Sequence, residues 1–152
     1  MKKTILYRLF GVGSVPKKLR PVLEREGVVV LDEGIGGWFV AKCVDGPARR
    51  YRRRTEGFSG CLAVTNSRVV CYSYGKRQLD ICVADPRIAN LYVDTPTEQK
   101  LYLSFESSDF REGWQGVVVF RFTTDKAVLF QKALLAIGAK RGTAAGAAKP
   151  RH

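Results

Sequence analysis

The chain has 152 residues, 45% hydrophobic and 26% charged, with a formal net charge of +12. That fits one globular domain with a sizeable core, and no apolar run approaches the roughly 20 residues that a membrane-spanning helix needs. The sole histidine is the last residue, His152, which argues against serine, cysteine or zinc chemistry built on an oriented imidazole.

The opening stretch Met1 to Phe10 imitates a signal peptide, but Arg8 interrupts its apolar region and no small-x-small cleavage site follows. It is read as mature, cytoplasmic protein. Pro16 to Glu26, with Leu19, Val22 and Leu23 at helical spacing, predicts a short amphipathic helix capped by Ser14 and stopped by Gly27. From Val28 the period changes to that of strands. Eight are predicted: 28–31, 38–44, 60–64, 69–74, 79–83, 91–93, 101–105 and 117–122. Turn residues separate them at Gly34 to Gly37, Asp45-Gly46-Pro47, Asn66-Ser67, Gly75-Lys76, Asp85-Pro86 and Thr95-Pro96. Leu101, Leu103 and Phe105 alternate with Lys100, Tyr102, Ser104 and Glu106, as on a sheet with one wet face. Thr123-Thr124-Asp125 offers capping side chains for a helix over 124–137, whose Ala127, Phe130, Leu134 and Ile137 form a core-facing stripe ended by Gly138. The expected organisation is a basic segment over 1–15, a domain over 16–138 and a disordered basic tail over 139–152.

Cys43, Cys61, Cys71 and Cys82 are spaced by 18, 10 and 11 residues with no C-x-x-C pair, so they read as reduced core residues and not as metal ligands. Neither Gly11-Val12-Gly13 nor the glycines of 34–37 have dinucleotide or P-loop spacing. No paired carboxylates stand out. The sequence therefore predicts no catalytic residue, no metal and no cofactor.

Gly60-Cys61-Leu62-Ala63-Val64-Thr65-Asn66-Ser67-Arg68-Val69-Val70 resembles the hairpin that GRAM-type and bacterial pleckstrin-homology domains write as glycine, apolar, leucine, threonine, asparagine, x, arginine and an apolar pair. The order of about eight short strands closed by one C-terminal helix is similar to the same superfold. The resemblance implies a mainly β, pleckstrin-homology-like antiparallel barrel of two curved sheets with a capping helix. It also implies a non-enzymatic module that binds phosphoinositides, membranes or protein segments. Thr65-Asn66-Ser67 is expected to make a tight turn, in which Asn66 tolerates a left-handed backbone. In the phosphoinositide binders, basic residues cluster at the turn joining the first two strands. Here that turn is expected at Asp32-Glu33-Gly34-Ile35-Gly36-Gly37, which is acidic and departs from that pattern.

The strongest single feature is Arg49-Arg50-Tyr51-Arg52-Arg53-Arg54, expected between the second and third predicted strands. An extended chain sends Arg50, Arg52 and Arg54 to one side and Arg49, Tyr51 and Arg53 to the other, so neither side can enter a core unpaired. Segments 1–26, 45–56 and 139–152 carry +5, +3 and +4, and the rest of the chain is neutral. Arg49, Arg50, Arg52, Arg53 and Arg54 are thus the candidate anion-binding residues, assisted by the basic N-terminus and tail. The expected partner is an anionic membrane surface or an acidic protein segment. Nucleic acid is the competing partner, ranked lower because only Tyr51 and Phe58 offer nearby stacking platforms. A solvated edge strand without a ligand and a self-assembling domain are further readings.

Overall fold

The computed structural model describes residues 3–45, 50–110, 113 and 115–144, with backbone alone at 6, 42–45 and 50–54. Two short helices, α1 (Ile5–Phe10) and α2 (Arg20–Glu26), precede seven strands: β1 (Val28–Asp45), β2 (Arg50–Thr65), β3 (Arg68–Ser73), β4 (Lys76–Cys82), β5 (Tyr92–Thr97), β6 (Lys100–Glu106) and β7 (Gln115–Thr123). Helix α3 (Ala127–Ala136) and a two-residue strand β8 (Lys140–Arg141) follow. The strands form one sheet in the order β4-β3-β2-β1-β7-β6-β5-β8, antiparallel throughout except for the β5–β8 pair. The protein is therefore mainly β with a C-terminal helix, as expected, but a single curled half-barrel replaces the two sheets.

The long strand β1 is the reason. It pairs with β2 from Val28 to Asp45 and with β7 from Gly37 to Asp45, which joins what the sequence divides. The glycines at 34–37 are not a turn but lie within β1. Gly34, at φ +67°, sits at a bulge between Glu33 and Ile35. Gly37 lies so close to β7 that a Cβ there would stand 2.0 Å from the Arg121 carbonyl oxygen. Glycine in a strand marks such close backbone approach. Gly60 repeats it: its Cβ would lie 2.2 Å from the Tyr72 carbonyl oxygen.

The concave face holds the main core, from Ile35 and Leu62 through Leu79, Ile81, Leu101 and Leu103 to Phe120 and Phe122. Phe58 packs edge-on to Phe122 at 5.4 Å and Phe39 against Phe120 at 5.2 Å. Helix α3 closes it with buried Ala127, Phe130 and Leu134, while Val128 and Leu129 remain exposed. No capping side chain serves its N-cap residue, Lys126. Instead Thr124 accepts the Lys126 amide and donates to Asp32 at 2.6 Å. Gly138, at φ +116°, follows the helix as expected.

On the other face Val15 and Leu23 cover Cys61, Ala63 and Val70. Helix α2 begins at Arg20, four residues later than Pro16, with Pro21 in its first turn; Ser14 donates to the Gly11 carbonyl and does not cap it. Gly27 ends it at φ +88°. The predicted hairpin turn falls at Asn66-Ser67, where Thr65 accepts the amides of Ser67 and Arg68 at 3.0 Å. Asn66 is not left-handed. Tyr74, at φ +50°, is the non-glycine with that backbone among the described residues, and with Gly75 it turns β3 into β4. Thr95-Pro96 lies within β5 instead of in a turn.

Residues 140–144, expected in the tail, are bonded to the sheet. Lys140 and Gly142 donate to the Leu91 and Val93 carbonyls, and Ala144 is buried with its amide on Ser104 Oγ at 2.9 Å. Ser104, expected on a wet face, is buried beneath it. Residues 145–152 lie outside the described residues.

The hairpin motif is bound to α2 by charge. Arg68 donates to both Glu26 oxygens, with Nη2 at 2.6 Å, and Thr65 donates to Glu26 at 2.9 Å. Burial raises the Glu26 carboxyl, but the Arg68 and Thr65 hydrogen bonds together with the Arg68 charge outweigh it and hold the group below its ordinary 4.5. A depressed carboxylate contributes stability above its unfolded value and loses it as pH falls through the folded one. Glu26→Gln is therefore expected to destabilise the protein by about 1–3 kcal/mol at neutral pH and to flatten the fall in Tm below about pH 4.5. Thermal melts of both proteins across acid pH check this.

Candidate functional site

The arginine run does not lie in a loop. Arg50, Arg52, Arg53 and Arg54 belong to β2, whose first half pairs with the end of β1: Ala41 opposite Arg54, Lys42 opposite Arg53, Val44 opposite Tyr51 and Asp45 opposite Arg50. Arg49 lies outside the described residues. Residues 32–37 are therefore part of β1 and not the turn that joins the first two strands.

One edge of this arm has no strand partner among the described residues. Pairing of β2 with β3 begins only at Gly60, opposite Ser73, so Arg50 to Ser59 have strand partners in β1 alone among the described residues. Tyr74 partly closes the gap: its amide donates to the Ser59 carbonyl at 3.0 Å and its hydroxyl to the Gly57 carbonyl at 3.1 Å. The backbone groups of Arg50 to Arg54 lie beyond that cover.

The structure distributes the other basic segments unequally. In the N-terminal segment Lys3 is paired with buried Asp32 at 2.5 Å and Arg20 with Glu33 at 2.6 Å. These two cations hold the N-terminus on the sheet. Arg8, Lys17, Lys18 and Arg25 are exposed. Gly13, between α1 and α2, approaches Ser59 and Gly60 of β2 so closely that a Cβ would stand 2.5 Å from Ser59 Oγ. Ser59 is five residues from Arg54, about 17 Å along the strand. By contrast β8, with Lys140 and Arg141, stands five strand positions from β2, roughly 24 Å around the curl. From β8 the chain returns across the sheet, where Ala144 packs with Val40 of β1, the partner of Thr55 on β2.

Two further basic residues lie over aromatic rings: Arg121 over Tyr102 at 5.1 Å and Lys140 over Tyr92 at 5.9 Å. Trp38, on β1 opposite Arg121, is exposed. Trp114 lies outside the described residues. Nothing in the spacing of these residues announces their meeting, since the pairs come from different strands.

The cysteines divide by environment. Cys71 is buried in the concave core and Cys61 in the α2 contact, while Cys82 is exposed. Burial pushes the Cys61 thiol up to about 12 and raises Cys71 as well. Thiolate is the reactive form, so iodoacetamide is expected to modify Cys82 in the native protein and Cys61 and Cys71 only after denaturation. Peptide mass spectrometry reads each site separately.

No protein-family model matches the chain, and no curated protein matches it.

Proposed function

We propose that the chain is a non-catalytic, pleckstrin-homology-like binding module recruited to an anionic membrane surface by the arginine arm at the tip of its first hairpin. The single observation that carries the reading is Arg50 to Arg54 on a strand with one edge that has no strand partner among the described residues. Arginine suits phosphate oxygens through its forked donors, and a cluster of such cations focuses the potential at one rim of the molecule. The fold reading is supported by the hairpin motif and by strands β1 to β7 running into α3, which fills the concave face. No helix among the described residues is long and apolar enough to cross a membrane, and the proposed attachment is peripheral.

Co-sedimentation with phosphatidylserine-containing and purely zwitterionic vesicles, with and without competing RNA, tests the reading. It predicts retention on the anionic vesicles that RNA does not displace. Displacement by RNA would transfer the arm to nucleic acid, and absence of retention would redirect it to an acidic protein segment.

A further inference from the structure

Helix α1 leaves three large apolar side chains uncovered. Thr4, just before the helix, bonds the Ser59 hydroxyl at 2.7 Å and accepts the Tyr7 amide, and the Tyr7 ring covers Gly34. Ile5, Leu9 and Phe10 are 69%, 68% and 74% exposed, an arrangement that costs hydrophobic free energy unless something covers them. Phe10 continues into an open hollow of about 410 Å³ lined also by Val12, Pro16, Lys17 and the exposed Tyr74.

The surroundings identify the cover. Arg8, Lys17 and Lys18 are exposed on and after the helix, and Lys76 and Arg77 follow the Gly75 that lines the hollow. None of the five makes an ion pair among the described residues. The β1 carboxylates beneath, Asp32 and Glu33, are already held by Lys3 and Arg20. Apolar side chains projecting from a short helix, ringed by uncompensated cations, match an interfacial membrane anchor. A symmetric second copy would bring the same five cations face to face.

We infer that Ile5, Leu9 and Phe10 form an insertion face that enters the acyl boundary of an anionic bilayer while Arg8, Lys17, Lys18, Lys76 and Arg77 meet the headgroups. The inference rests on the reading of the chain as a peripheral membrane binder, but it assigns penetration to a surface separate from the arginine arm. Phe10→Trp is expected to show a blue-shifted emission on phosphatidylserine vesicles and quenching by brominated acyl chains. The triple variant Ile5→Ser/Leu9→Ser/Phe10→Ser is expected to lose about tenfold or more in vesicle partition with an unchanged Tm.

Full vesicle binding by the serine variant, with no blue shift in the Phe10→Trp protein, overturns the insertion face. If binding is then lost in an Arg50→Gln/Arg52→Gln/Arg54→Gln variant, the arm reading stands alone. If that glutamine variant binds normally and the serine variant does not, the insertion face stands and the arm reading falls. Absence of vesicle binding in the unmodified protein overturns both.

Discussion

Gly37→Ala is expected to lower stability by about 3 kcal/mol or more, a fall in Tm of roughly 6–12 °C for a domain of this size. Gly37 pairs with Phe58 of β2 and Phe122 of β7 at once. The added methyl would stand 2.0 Å from the Arg121 carbonyl oxygen and 3.0 Å from the Phe58 ring. The carbonyl is backbone in the neighbouring strand, so the clash is relieved only by separating β1 from β7 at the point where the sheet curls. Gly75→Ala is the comparison: its Cβ meets nothing within 4 Å, but φ is +75°, and the left-handed backbone alone costs about 1 kcal/mol. Equal thermal melts for Gly37→Ala and the unmodified protein would contradict the strand register at this bend.

Replacing Arg50, Arg52 and Arg54 by glutamine is expected to weaken binding to anionic vesicles by roughly two orders of magnitude, at about 1 kcal/mol for each cation near the leaflet. Stability is expected to stay within about 1 kcal/mol, because these positions lie on the half of β2 that has no β3 neighbour and surface substitutions change little. Binding by the unmodified protein is expected to fall steeply with added salt, since exposed charges are screened over about a Debye length. A large loss of Tm in the glutamine variant would instead make the arginines part of the fold.

How much was legible in the residues depended on whether the local pattern carried its own cause. Leu101, Leu103 and Phe105 alternate because one face of β6 is core, and all three are buried. Ala127, Phe130 and Leu134 repeat at helical spacing because α3 fills the concave face. The continuity of β1 was hidden because Gly34 to Gly37 look like turn residues; their small size serves a bulge and a close strand contact instead. The first half of β2 was hidden because an arginine run has no apolar alternation. Its strand conformation comes from pairing with β1. Lys140 and Arg141 gave no signal of order, since what orders them is backbone bonding to Leu91 and Val93 across the chain.

The arginine run itself was visible as a cluster of charge. Its neighbours were not: topology alone brings Gly13 against Ser59 and Gly60 of β2 and returns Ala144 to Val40 of β1. The uncovered apolar residues of α1 were obscured because Met1 to Phe10 has the composition of a leader, and Ile5, Leu9 and Phe10 stay exposed although Thr4 and Tyr7 are held to the sheet.

The most direct measurement is a titration of the unmodified protein and the Arg50→Gln/Arg52→Gln/Arg54→Gln variant with vesicles of increasing phosphatidylserine content, with Tm recorded for both. Partition that rises with anionic lipid in the unmodified protein, with a nearly flat response and the same Tm in the variant, is the result expected of an arginine arm that recruits the domain. Identical partition curves for the two proteins would contradict it.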